Sequence, residues 1–405
     1  MITEMLTEEQ IPGLDEEGIA VCDSESELCG TADLSGVVYM IRSLQRSART
    51  ECGAYQHTQY ARLNTHVPVL RMYMDVERDM KIDFRMSRQA FNGLLNILHQ
   101  ERDHGWGHNI EVLIFVFWLA HGVSYRVTAW AFHVPKSTIF RVVHRIAKEI
   151  RRCKSKVIFF PSPNTLEEVG RGFGQLAQHE AFNKAVGAID GCHIRIKPPK
   201  HNQLDYFNYK QFHSIQLQGI CDSSGRFLDI FVGYGGSVHG TRILRNSPVY
   251  FNSLYPPPGF FLLGDGGYPC LQLPIMIITP FRHPLQGRMQ DRFNKMHGRA
   301  RSIIERTFGV MKAWGRATLF KALEVRPNFC SEVALACAFL HNVCLIHGDV
   351  MEPELQPEEP GPLAPHDLQD IQERSGAHMR DRLCAHISAP QHLQAPLRDH
   401  DYASR

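Results

Sequence analysis

Apolar positions along this chain follow two periods, helical in the first half and strand-like from Lys184 onward. Phe91, Leu94, Leu95 and Leu98 recur at i, i+3, i+4 and i+7 behind Ser87, whose hydroxyl suits an N-cap, so an amphipathic helix is predicted there. After the His-Gly break at His104–His108, Ile110–Ala120 reads as a buried helix. The stretch that follows resembles a helix-turn-helix: a first helix near Val127–Phe132, a turn at His133-Val134-Pro135, and a second helix from Ser137 or Thr138 that presents Lys136, Arg141 and Arg145 to DNA. A three-helix packing unit that never touches DNA gives the same pattern.

From Lys184 the signal is that of a sheet. Ala185–Lys197 is apolar or small on both sides as far as Asp190, as in a central strand buried on both faces, and Pro198 and Pro199 end it. Phe212–Cys221 and Arg226–Tyr234 are two further strands, joined by the hairpin turn Asp222-Ser-Ser-Gly225. Phe261–Asp265 is a fourth, stopping at Gly266 and Gly267, where missing side chains allow another chain or a ligand to approach closely. Ile303–Lys312 returns to helical spacing with Ile304, Phe308 and Met311 on one face, and a last helix near Glu332–His347 ends at Gly348.

Composition narrows the class. The 405 residues are 43% hydrophobic and 21% charged, which excludes disorder throughout. The longest unbroken apolar run, Val112–Ala120, has nine residues; a membrane span needs roughly 18, so no membrane association is expected. The N-terminus lacks the basic start and apolar stretch of a secretory leader, which predicts a reducing environment and thiols for most of the eleven cysteines. Cys330, Cys337 and Cys344 recur at seven-residue steps, the spacing of core packing in a helix.

The net charge of +2 conceals an asymmetry. Residues 1–41 hold ten acidic and no basic residues, and residues 350–405 hold ten acidic and five basic, so residues 42–349 carry about +17. A body of that sign attracts polyanions, DNA above all. The expected organisation is an acidic, mostly disordered segment over 1–75, a helical helix-turn-helix-like domain over 76–155, an α/β domain over 156–349 and an acidic, Pro-rich tail over 350–405, with Glu352–Pro365 disordered.

Three carboxylates stand out. Asp190 lies within an apolar strand, where an uncompensated charge costs several kcal/mol. Asp265 repeats that signature at the end of another strand, and Glu305 projects beside the apolar stripe of a helix, with Arg301 four residues before it and Lys312 seven after. Singly, such residues are usually turn or cap residues. Together, at spacings of 75 and 40 residues, they have the chemistry of a divalent-metal site for phosphodiester cleavage, with Mg²⁺ or Mn²⁺ as cofactor.

At this point a family resemblance is specific. The blocks beginning at Val186 (VGAIDGCHIRI), Asp205 (DYFNYKQFHSI), Gly236 (GSVH), Leu263 (LGDGGY), Ile304 (IERTFGVMK) and Leu340 (LHN) are similar, in order, to those of the Harbinger transposase-derived nucleases. The resemblance implies an RNase-H-like core, a mixed five-stranded sheet flanked by helices, preceded by an all-α helix-turn-helix-like domain. It implies Asp190, Asp265 and Glu305 as a metal-binding Asp-Asp-Glu triad, DNA strand cleavage as ancestral chemistry, and a separate Myb/SANT-like partner supplying DNA binding or nuclear import. The chain departs from the family at Gly240, where Asp often follows Gly-Ser-x-His, and in Lys312–Arg316, slightly off the family's basic-aromatic pattern. His239 or Asp229 is a candidate to compensate the lost carboxylate.

Lys197, Lys200, Lys210, Arg242, Arg245, Arg301 and Lys312 flank the carboxylates and are candidates to neutralise DNA phosphates, against an ordinary charged surface. Tyr206, Phe207, Tyr209 and Phe212 suit either base stacking or hairpin packing. His341 and His347 have no neighbours suited to zinc. Two functions compete: a metal-dependent nuclease, and a captured DNA-binding or scaffold protein that has lost turnover. A glycosidase-like use of paired carboxylates requires neither the basic flank nor a third acid. The expected location is the nucleus with a cytoplasmic pool; Arg145–Lys156 is only a weak basic cluster.

Overall fold

Ser87 caps as its position predicts, its Oγ accepting a hydrogen bond from the Ala90 amide at 3.1 Å and starting helix α3 (Arg88–Ile97). This computed structural model describes residue 64 and residues 66–98, 107–315, 322–349 and 376–389. The disorder expected at the start of the chain and over Glu352–Pro365 lies outside them.

Ahead of α3 stand α1 (Pro68–Met74) and α2 (Met80–Phe84). α1 buries Val69 and Leu70 at the end of the segment expected to be mostly disordered over 1–75. α4 (His108–His121) is buried from Ile110 to Ala120, as its unbroken apolar run requires. Ser124 then caps α5 (Tyr125–Phe132), His133 turns the chain in a left-handed conformation at φ 54°, and α6 (Lys136–Arg152) follows. α6 buries Val142, Val143, Ile146 and Ile150 and leaves Lys136 and Arg141 exposed. Arg145 instead pairs with Glu111 of α4, which compensates a carboxylate buried in an apolar helix.

After α7 (Leu166–Ala177) comes a five-stranded mixed sheet: β1 (Ala185–Arg195), β2 (Ser214–Cys221), β3 (Phe227–Gly235), β4 (Phe261–Gly264) and β5 (Ile277–Ile278). The strand order is β3-β2-β1-β4-β5, with β3-β2-β1 antiparallel and β1-β4-β5 parallel. Asp222 makes the β2–β3 hairpin turn, its Oδ1 accepting from the Ser224 and Arg226 amides at 2.9 and 3.0 Å. The β3–β4 connection carries α8 (Gly240–Asn246) and α9 (Pro248–Phe251); α10 (Arg288–Trp314), α11 (Pro327–Ile346) and α12 (Ala377–Ser388) follow the sheet.

Alternation along the strands splits the core between two faces. One face places Ala188, Leu217, Ile230, Leu263 and Ile278 in a cluster with Ile304 and Phe308 of α10 and Val333 and Leu340 of α11. The other places Val186, Ile189, Ile220, Leu262 and Ile277 against Leu244 of α8 and Val249 of α9. The first cluster continues without a break into Phe91, Phe117, Phe132 and Val143, so the N-terminal helices and the sheet share one core, bridged by α11. By length and composition α11 is apolar enough to cross a bilayer, but most of it is buried inside this protein.

Past residue 375 the chain forms a helix within the region read as tail: α12 buries Met379, Leu383, Cys384 and Ile387 in the main core. These apolar positions are sparse and interspersed with Arg380, Asp381 and Arg382, which is why composition hides them. α10 likewise begins fifteen residues before the predicted Ile303, because its first half buries only Phe293, His297 and Ala300 among polar residues.

Candidate functional site

Register brings the two aspartates together. Ile189 of β1 pairs with Gly264 of β4, so the next residues, Asp190 and Asp265, emerge side by side from parallel strands, which lie about 4.8 Å apart. On the other side of Asp190 stands Gly219 of β2. A Cβ at Gly219 would come within 3.1 Å of the rings of Phe227 and Phe308, so its missing side chain lets α10 seat closely on the sheet one turn beyond Glu305.

From that helix, Arg301 reaches over the strands. Its Nη1 donates to Asp190 Oδ2 at 3.1 Å and its Nη2 to Glu305 Oε1 at 2.7 Å. Asp190 Oδ1 accepts from the Gly191 amide at 2.7 Å, and Asp265 Oδ1 from the Gly267 amide at 2.9 Å. Burial pushes the Asp190 carboxyl up to about 7; the Asp265 charge adds to this, Arg301 opposes it, and Glu305 raises it slightly. The three predicted carboxylates therefore sense one another across β1, β4 and α10.

A buried polar wall lies behind them, on the sheet face opposite the one that seats α10. Gln216 and Gln218 lie on one face of β2, in line with Ser214, and all three are buried. Gln216 Nε2 donates to the Val238 and Gly236 carbonyls, anchoring the Gly236–His239 loop. Gln218 Oε1 accepts from the buried Tyr268 hydroxyl at 3.4 Å. Burial, followed by the charges of Asp190 and Asp265, pushes that hydroxyl's pKa well up, so Tyr268 stays a neutral donor. Sequence reasoning missed this wall; the available signal was two glutamines at i and i+2 in a strand too apolar to present them to water.

The predicted basic residues divide. Arg301 is committed to Asp190 and Glu305 rather than to the surface, while Lys197, Lys200 and Arg242 are exposed and Lys210, Arg245 and Lys312 are half-buried. His239 caps α8, its Nδ1 accepting from the Thr241 amide at 3.4 Å, and Asp229 is engaged by Lys154 at 3.5 Å. Phe207 and Tyr209 are exposed, whereas Phe212 lies under the Arg195 guanidinium at 4.1 Å. His341 and Asn342 are structural: His341 Nε2 bonds the Gly225 carbonyl at 2.9 Å, and Asn342 bonds both the amide and the carbonyl of Phe227 at 2.8 Å.

Among the described residues no three His, Cys, Asp or Glu side chains already stand in ligating positions. The donor set nevertheless suits a hard divalent cation: oxygen donors only, on three carboxylates, two of them following paired residues of neighbouring parallel strands.

Residues 189–342 match the DDE superfamily endonucleases, a span that contains Asp190, Asp265 and Glu305. The chain is 27% identical to a protein of Rattus norvegicus named nuclease HARBI1, over 54% of this chain and 62% of that one, and equally so to its Homo sapiens counterpart. It is 24% identical to the Arabidopsis thaliana protein antagonist of like heterochromatin protein 1, over 69% of this chain and 76% of that one. The alignment thus spans 62% of the length of the HARBI1 relatives. No solved structure matches. An acidic cluster built from two adjacent parallel strands and a crossing helix thus lies within the region that is similar to the DDE superfamily endonucleases and to the HARBI1 proteins.

Proposed function

We propose that this protein is a metal-dependent endonuclease that hydrolyses DNA phosphodiester bonds, with Asp190, Asp265 and Glu305 as its catalytic residues. The observation that carries this is the register of Ile189 with Gly264, which sets two carboxylates from distant parts of the chain side by side within reach of α10. Asp190 and Asp265 would hold Mg²⁺ or Mn²⁺, with Glu305 completing the set. When bound, such an ion supplies the charge that activates a water and steadies the leaving oxygen. The chain's own part is to fix these oxygens on rigid strands and to keep Asp190 in a dry setting. Exposed Lys197, Lys200 and Arg242 would meet DNA phosphates.

The sheet order supports an RNase-H-like core, and the short turn at His133–Pro135 supports a helix-turn-helix role for α5 and α6. A Myb/SANT-like partner, and a nuclear location with a cytoplasmic pool, complete the proposal. The deciding experiment is nicking of supercoiled DNA with Mg²⁺ or Mn²⁺. Asp190→Asn, Asp265→Asn and Glu305→Gln are each expected to lower the rate roughly 100-fold or more. Unchanged nicking in all three overturns the assignment.

One observation favours a second reading, a captured DNA-binding or scaffold protein without turnover. Nothing lies within 4 Å of where a Cβ at Gly240 would sit, so the site has room for the family's carboxylate and lacks it. One relative is also named for antagonism of a heterochromatin protein rather than for cleavage. Nicking that appears only in Gly240→Asp, with DNA binding that survives loss of the triad, selects this reading.

A further inference from the structure

A guanidinium usually grips one carboxylate with both arms. In Arg301 the arms are split: one holds Asp190 on β1 at 3.1 Å, the other Glu305 on α10 at 2.7 Å. The Arg301 side chain is 19% exposed and that of Asp190 17%, so this contact is sheltered rather than a surface ion pair. It lies between two of the three carboxylates that the nuclease reading requires as ligands. A divalent cation such as Mg²⁺ takes carboxylate oxygens at about 2.0–2.1 Å and would draw on the same Asp190 and Glu305 groups. Oxygens drawn onto such an ion have less charge and fewer lone pairs left for the guanidinium.

We infer that Arg301 is the resting counter-ion of the acidic cluster, and that its guanidinium must leave Asp190 and Glu305 when a divalent cation binds. The inference rests on the nuclease reading above. Arg301 is then a positioning residue. Without an ion it keeps β1 and α10 from repelling each other through three carboxylates; with one, it is released beside the place where a phosphate would approach. Its position in the chain fits both tasks, since it lies one helical turn before Glu305 and faces the same strand. Among the described residues no three His, Cys, Asp or Glu side chains stand in ligating positions, and the Arg301 guanidinium bridges Asp190 and Glu305.

The test is calorimetric titration of the metal-free full chain with Mn²⁺ alone, alongside the Mn²⁺-induced rise in melting temperature. Arg301→Gln is expected to bind Mn²⁺ about tenfold more tightly than wild type and to gain more melting temperature from it, because the competing charge is gone. Asp190→Asn is expected to bind more weakly. Equal or weaker binding by Arg301→Gln overturns the displacement. Should Arg301→Gln not fold without metal, Arg301→Lys decides, since one ammonium is poorly shaped to span both carboxylates: a smaller gain in Mn²⁺ affinity supports the inference, and an equal or lower affinity overturns it. Absence of Mn²⁺ binding by wild type and every variant overturns the metal-dependent reading itself, a result distinct from equal binding by wild type and Arg301→Gln.

Discussion

Thr241 Oγ1 donates to the Gly267 carbonyl at 3.1 Å, fastening the first turn of α8 to the loop that follows Asp265. Gly240 therefore sits one residue from a direct tether to the acidic cluster, with open space where its Cβ would be. Gly240→Asp is expected to fold as well as wild type or better, because an anion in the first turn of a helix gains about 0.3–1 kcal/mol. It is also expected to tighten Mn²⁺ binding. Thermal unfolding and Mn²⁺ titration of the purified variant check both; a melting temperature several degrees lower contradicts the first.

Asp190 should make the metal-free protein sensitive to alkali. Its carboxyl is raised from 3.8 to about 7, so the folded state holds the proton more tightly than the unfolded chain does. Stability from this group is complete below about pH 4 and is lost as pH rises through 7. Asp190→Asn removes the charge, and in EDTA at pH 8 it should be more stable than wild type. The gap should close towards pH 4. Urea midpoints at both pH values give the answer, and a variant less stable than wild type at pH 8 contradicts it.

Two histidines act in the opposite sense. Burial pushes His297 and His341 down to about 4, each with Nε2 on a backbone carbonyl, Ile278 at 3.0 Å and Gly225 at 2.9 Å. A depressed base stabilises the fold fully above its ordinary pKa, about 6.5, and this is lost as pH falls towards 4. Denaturant midpoints of wild type should therefore drop between pH 7.5 and pH 5. His341→Gln should flatten that drop even though it lowers stability at pH 7.5 by about 1–2 kcal/mol.

Asn342 pins the start of β3 to the last long helix. It bonds the Phe227 amide and carbonyl at 2.8 Å each and the Val157 carbonyl at 3.2 Å, all buried. Asn342→Ala leaves one buried amide and two carbonyls without this partner, and a loss of about 3 kcal/mol is expected. Differential scanning calorimetry measures it. A change within experimental error would mean that neighbouring groups or water replace those bonds.

Local pattern carried much of the fold. Ser87, the apolar run Ile110–Ala120, the doubly buried β1 and the Asp222–Gly225 turn each announce themselves within a few residues, because capping, burial and turn chemistry are short-range. Asp190 and Asp265 were legible for the same reason, as charges in strands otherwise unfit for them. Side-by-side placement was not, since the pairing of Ile189 with Gly264 joins segments 75 residues apart. Nor was the role of Arg301: a cation four residues from Glu305 reads equally as a phosphate contact until β1 is seen beneath it. β5 has only two residues, too few to show a period, and α12 hides its apolar stripe among arginines.

α12 packs Met379, Leu383, Cys384 and Ile387 into the same core that seats α10, the helix carrying Glu305. A ribosome has therefore made both aspartates, the glutamate and the whole sheet before the segment that closes their far side emerges. A transcript cut short after α11 would not yield a smaller version of the same fold. It would yield a chain with an open apolar face, a target for chaperones and proteases, so the completion of the core that seats the acidic cluster waits on translation past Ile387.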